Sequence, residues 1–174
     1  KLQLELNPKY VKEYKLIDYE NRMLSNEDYN NDKKDAAEIA AGHTVTALYE
    51  LVPSAGKVAQ SLRYQSQELN EKGKGNELGF LKIRYKDPKV KDAKSVEITE
   101  PLVFNKKALK ETSTDYRFAA SVAEFGILLR DNSNKANATY DQVIELAEGA
   151  IGKDPEGYRK EFVRLVKSVK MLPK

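Results

Sequence analysis

Residues 95–129, SVEITEPLVFNKKALKETSTDYRFAASVAEFGILL, contain the change of rhythm that decides the fold. Up to Phe104 the apolar side chains keep a period of two. Val96, Ile98, Leu102 and Phe104 are assigned inward, as on a half-buried strand. Pro101 inside that run marks an edge strand or a break, because proline offers a ladder no donor. Ser113 or Thr114 can cap a helix running from about Asp115 to Leu129. Beyond the cap, Phe118, Val122, Phe125 and Leu129 recur at helical spacing. Ala119, Ala123 and Gly126 lie beside them and would let another element approach closely. Being apolar on more than one face, this helix is expected to be the most buried element of the chain.

Upstream of this stretch the period is two. Leu2, Leu4 and Leu6 alternate with Gln3 and Glu5, and Asn7-Pro8 ends the run. Val11 to Tyr19 reads as a second strand whose imperfect period implies a bulge or burial on both faces. Thr44 to Val52 is the clearest strand, with Val45, Ala47, Tyr49 and Leu51 on one face. Leu78 to Tyr85 is the fourth, with Leu81, Ile83 and Tyr85 opposite Phe80, Lys82 and Arg84; Gly79 predicts a bend or bulge near its start. The polar run from Glu20 to Lys34 is expected to be a long loop anchored by Met23, Leu24 and Tyr29. Pro53 to Gly75 is weakly patterned and is expected to be disordered, a flexible insertion near residues 54–77.

Downstream, Asn132-Ser133-Asn134 ends the first helix. Thr139 followed by Gln142 forms a capping-box pattern for a second, which Gly149 and Gly152 stop. Asp154-Pro155 is a further start signal. Tyr158, Phe162, Leu165, Val166 and Val169 form the apolar stripe of the last helix, and Lys160, Arg164, Lys167 and Lys170 its basic outer face. About five strands followed by about three helices predict an α+β fold. The expected arrangement is an antiparallel β-sandwich-like or curled sheet in residues 1–110, with packed helices in residues 111–174.

The chain has 174 residues, a formal net charge of +3 and no cysteine. Thiolate chemistry, disulfides and cysteine-ligated metal sites are therefore excluded. The small net charge, with no basic stripe, argues against nucleic acid. No apolar run is long enough to span a bilayer. The chain opens on Lys1 directly into a strand pattern, so it is expected to be a piece of a longer protein.

Catalytic chemistry has little to draw on. His43 is the single histidine, and a hydrolase would need it to meet an acid and a nucleophile. No Gly-x-Ser-x-Gly elbow is present. Asp28, Asn30, Asp32 and Asp35 begin like a calcium loop, but Lys33 falls where that loop needs glycine and Ile39 where it needs a bidentate glutamate. A solvated turn is the stronger reading. Asp115 with Glu124, and Glu145 with Glu148, are carboxylate pairs without a histidine pattern; they read as helix surface. Gly73-Lys74-Gly75 is too short for a phosphate loop. The remaining interaction candidates are Tyr10, Tyr29 and Tyr64, in polar surroundings, and the basic Lys160, Arg164 and Lys167. Neither a catalytic residue nor a cofactor follows from these residues. An envelope carbohydrate- or lipid-binding role would use the tyrosines or the basic helix face.

Three stretches carry a family resemblance: Tyr19-Glu20-Asn21-Arg22 with Asn26-Glu27-Asp28; Gly42-His43-Thr44-Val45-Thr46-Ala47-Leu48-Tyr49-Glu50; and Tyr116-Arg117-Phe118-Ala119-Ala120 with Phe125-Gly126 and Leu128-Leu129-Arg130. Tyr140-Asp141 and Tyr158 to Leu165 fit the same pattern, and Pro53 to Gly75 fits it least. Together they resemble the segment that follows the von Willebrand factor A domain in bacterial YfbK-type proteins. The resemblance covers nearly the whole chain. It implies an upstream von Willebrand factor A domain, an envelope-associated or lipoprotein-like parent, and an associated structural or adhesion-related role, a protein-interaction module for which the family gives no established chemistry. The Asp-x-Ser-x-Ser metal motif of that domain is absent from residues 1–174, so none of its ligands carries over. If the strands lose a neighbour with that domain, an open sheet edge is expected to permit self-association.

Overall fold

The computed structural model of the protein describes residues 1–17, 26–34, 39, 42–54, 76–87, 89, 90, 93–130 and 138–172. The expected insertion lies mostly outside them, as do Met23, Leu24, Asp35, Tyr64 and Asn132-Ser133-Asn134. The polypeptide divides into two units, Lys1–Asn105 and Lys106–Lys174. The first is antiparallel β-structure and the second holds three packed helices, which is the α+β order read from the change of period.

The first unit contains β1 (Leu2–Leu6), β2 (Val11–Leu16), the single turn of α1 (Asn26–Tyr29), β3 (Tyr49–Pro53), β4 (Glu77–Tyr85) and β5 (Val96–Val103). β4 lies between β1 and β5, and β2 pairs with β3; neither sheet closes into a barrel. Two irregularities fall where the sequence placed them. The register slips between Val11 and Glu13 of β2, and between Glu77 and Gly79 of β4. Gly79 is required there because a Cβ would stand 2.7 Å from the Glu5 carbonyl oxygen of β1. Pro101 sits opposite Phe80 on the edge strand β5, the position its missing donor tolerates.

Asn7 forms the corner between the two sheets and is only 8% exposed. Its amide donates to Leu78 O at 2.9 Å and its side-chain Nδ2 to Glu77 O at 2.9 Å, closing the end of the β1–β4 ladder. Its Oδ1 accepts from the Lys9 amide at 3.0 Å, and its carbonyl accepts from the amides of Tyr10 and Val11. The next strand therefore begins at Val11, a buried residue.

Two strand readings need correction. β3 begins at Tyr49, not Thr44: the ladder with β2 ends at Leu16–Tyr49, extended only by the Ile17 amide donating to Leu48 O. Val45 is 73% exposed, and among the described residues no strand pairs with residues 44–47. Val96 and Ile98 of β5, and Phe104 just past its end, are not inward but 50, 54 and 61% exposed.

In the second unit a 3-10 turn (Leu109–Glu111) leads to α2 (Thr114–Leu129), α3 (Tyr140–Glu148) and α4 (Tyr158–Lys170). Ser113 caps α2 by accepting the Tyr116 amide at 3.1 Å. Thr139 and Gln142 complete the reciprocal capping box of α3. Each such cap contributes about 1 kcal/mol. α3 packs against both α2 and α4, and Val143, Ala147 and the following Ala150 are fully buried. The expectation that α2 is the most buried helix is thus corrected. Its inward stripe is Phe118, Ser121, Phe125 and Leu128, while Val122 and Leu129 are exposed. On α4 the stripe is shifted likewise: Val163 and Val166 are buried, whereas Tyr158 and Leu165 are 71 and 52% exposed. The period was legible, but the side of the helix that meets its neighbour was set by the neighbour.

The core is organised around Phe125, Val143 and Val166. Phe125 meets Tyr140 and Phe162 edge-on with ring centroids 6.2 and 5.6 Å apart, and Phe162 meets Phe118 at 5.4 Å. One aromatic chain thus joins all three helices, the geometry that ring quadrupoles favour. Replacing Phe125 by alanine is expected to destabilise the helical unit by about 3–5 kcal/mol, measured by urea denaturation followed by helical circular dichroism.

Candidate functional site

The acidic loop that begins like a calcium site is engaged by cationic side chains. The Lys1 ammonium donates to the carbonyls of Asp28 at 2.9 Å and Asn31 at 2.6 Å, with Tyr29 O at 3.5 Å. The Asp32 carboxylate accepts from the Ser95 amide at 3.3 Å and faces Arg84 at 3.9 Å, while its carbonyl accepts from Lys86 at 2.7 Å. Hydrogen bonds from Ser95 hold the Asp32 carboxyl below its ordinary pKa, against a smaller opposing effect of desolvation. Asn30 is exposed. Asp28, Asn30 and Asp32 therefore sit in a turn clamped to the sheet. Among the described residues no three His, Asp or Glu side chains are grouped to hold a metal ion.

Tyr29, offered by the sequence as an interaction residue, is instead the anchor of that turn and is 5% exposed. The Arg84 guanidinium lies over its ring at 5.5 Å, and its hydroxyl donates to Glu97 at 3.2 Å. Burial, then the Glu97 carboxylate, push its phenol above the ordinary value. Tyr10 is half-buried at the Asn7 corner, with the Lys9 ammonium over its ring at 5.1 Å. His43 lies exposed outside any helix or strand, six residues before β3.

The basic residues of α4 divide into two groups. Lys167 donates to Glu148 of α3 at 2.6 Å, and Lys170 pairs with Asp141 of α3. They bridge helices while staying exposed on the basic outer face of α4. Lys160 and Arg164 remain exposed.

Sequence reading missed Arg159, the residue that connects the helical unit. Its guanidinium donates to the carbonyls of Ala150 and Ile151 at 3.2 and 3.3 Å, beyond the end of α3. It pairs with Asp115 of α2 at 2.5 Å and lies over the Phe118 ring at 4.9 Å. The available signal was a lone arginine in the first turn of a helix, indistinguishable from surface charge. Asp154 precedes α4, which starts at Tyr158 after Gly157 in a left-handed turn with φ of 77°. Pro155 is therefore not the first helical residue. The Asp154 carboxylate still accepts the Arg159 and Lys160 amides at 3.2 and 3.1 Å. Partial desolvation would raise its pKa, but those two amides and the adjacent cations outweigh it and hold the carboxyl below its ordinary value.

Glu124 and Glu145, on different helices, line one open groove of ≈ 780 Å³ with Leu109, Arg117 and Leu146. Desolvation raises the Glu124 carboxyl. The Arg117 guanidinium is turned to the Thr112 carbonyl and Thr114 Oγ1. The sequence had paired these acids differently, within a helix, because proximity across α2 and α3 leaves no spacing signal.

Residues 1–172 match the family described as "Uncharacterized protein YfbK, C-terminal". The chain belongs to this family. It is 41% identical over 168 residues to Uncharacterized protein YfbK of Escherichia coli (strain K12), a match covering 95% of the chain. The YfbK-family region seen here spans 28% of that relative's length. No solved structure gives a significant match. Among the described residues no helix is long and apolar enough to cross a membrane.

Two outcomes follow from the geometry around Arg159. Arg159→Ala is expected to cost about 2 kcal/mol, because it strands two carbonyls and removes the ring contact. Asp115→Ala, at an 82% exposed carboxylate, is expected to cost at most ~0.5 kcal/mol. Urea titration of both variants checks the contrast. The depressed Asp154 pKa contributes stability that is fully present above the unfolded value and lost as pH falls through the folded one. The stability gap between wild type and Asp154→Ala is expected to narrow as pH drops below about 3.9, followed by urea midpoints across an acid series.

Proposed function

We propose that the chain is a non-catalytic structural or protein-interaction module, accessory to an upstream von Willebrand factor A domain in a longer bacterial envelope protein. The observation that carries this reading is the use made of the charged side chains. Lys1, Arg84, Arg159, Lys167 and Lys170, which could have served a ligand, hold turns and helices in place. The candidate chemical residues are dispersed: His43 is in exposed chain, Asp28 and Asp32 are in a clamped turn, and Glu124 is in an open groove. What faces outward in quantity is apolar strand surface, the usual material of a protein contact. The family's C-terminal position supports a neighbour on the same polypeptide. A lipid- or glycan-binding alternative loses two of its basic residues to the bridges between α3 and α4.

Crosslinking mass spectrometry on the full-length protein tests this reading. Reproducible crosslinks between residues 1–174 and the upstream domain are expected. Their absence, together with melting of the two pieces at unchanged separate temperatures, would count against an accessory role.

A further inference from the structure

On β1, β4 and β5 one face of the sheet is coded for burial and left open. The register aligns Leu2, Ile83 and Ile98 across the three strands, and Tyr85 with Val96 beside them. Paired residues in an antiparallel ladder project to the same side, so these five side chains share a face. Their exposures are 47, 36, 54, 48 and 50%. The opposite face is differently made. It carries Lys82, Arg84, Glu97 and Thr99, and part of it is covered by Tyr29. Among the described residues the polar face is thus the clamped one, and the apolar face is the open one. Contiguous apolar surface of this kind is uncommon on a protein that works alone, and it marks a contact site.

We propose that this face docks the part of the longer polypeptide that precedes residue 1. The proposal rests on the accessory reading above and adds the surface. Two observations select this occupant over a second copy of the chain. The family is a C-terminal one, and the chain spans 28% of the matched relative, so most of such a protein lies elsewhere. In that setting the preceding polypeptide enters through β1, an edge strand of this sheet, whose Leu2 is itself a member of the face. A tethered occupant is present at an effective concentration on the order of mM, which a free second copy does not reach in a cell.

The chain contains no cysteine, so a single introduced thiol reports its position cleanly. Ile98→Cys samples the apolar face and Thr99→Cys the opposite one; both are exposed positions on β5. Maleimide labelling is followed at the modified peptide, in the full-length protein and in the 174-residue chain. Thiol access sets the rate. Labelling at Ile98→Cys is expected to be about tenfold slower in the full-length protein, with Thr99→Cys unchanged. Equal rates at Ile98→Cys in the two proteins would overturn the proposal, as would equal slowing at both positions. Protection already present in the 174-residue chain and relieved by dilution would assign the face to a second copy and overturn it too. Interdomain crosslinks with Ile98→Cys left open discard this face and keep the accessory role; absence of both protection and crosslinks discards both.

Discussion

A buried polar group must find its partners, and one residue in each unit meets that demand on behalf of its neighbours. In the strands the residue is Asn7. Its backbone and side chain together close the β1–β4 ladder and start the turn into β2. In the helices it is Arg159, which takes up two carbonyls past the end of α3 while resting on Phe118 of α2. An apolar residue at either point would remove the side-chain partners of two backbone groups, each costing about 1–3 kcal/mol if left buried. The apolar core supplies most of the stabilising free energy, while these two polar residues determine which strand or helix meets which.

The order of elements was legible because it depends on local rhythm. The change of period between Phe104 and Phe118, the Ser113 and Thr139 caps and the bulge at Gly79 all reside in a few adjacent residues. What was not legible depends on a neighbour distant in sequence. Thr44 to Leu48 has strand composition but lies beyond the described β2–β3 ladder, and Val122 of α2 and Leu165 of α4 have core composition but are exposed. The candidate site behaved in the same way. Tyr29 was legible as an anchor of its loop, but Arg84 and Glu97, the residues it anchors to, lie more than fifty residues downstream and were not. Lys167 and Lys170 were legible as a charged outer face, but their partners Glu148 and Asp141 on another helix were not.

This division bears on how the two kinds of surface residue should be read. A charge on a helix surface is ambiguous, since an exposed ion pair and a solvated lysine have the same sequence and nearly the same free energy. A row of branched apolar residues on a strand is less ambiguous, because solvent exposure leaves its burial free energy unrealised. The open face of the sheet is therefore a more informative signal than the basic helix, although the basic helix was the more conspicuous one in the sequence.

Pro101 gives the sheet an asymmetry between its two rims. A strand laid beside β5 would meet an interrupted row of donors, while β1 carries no proline. Fibre growth requires two compatible rims on every subunit, so that each newcomer presents a fresh template. A sheet with one spoiled rim and one intact rim can pair only once, intact rim to intact rim, and the resulting pair has no template left to offer. Any self-association through this sheet would then close at two molecules.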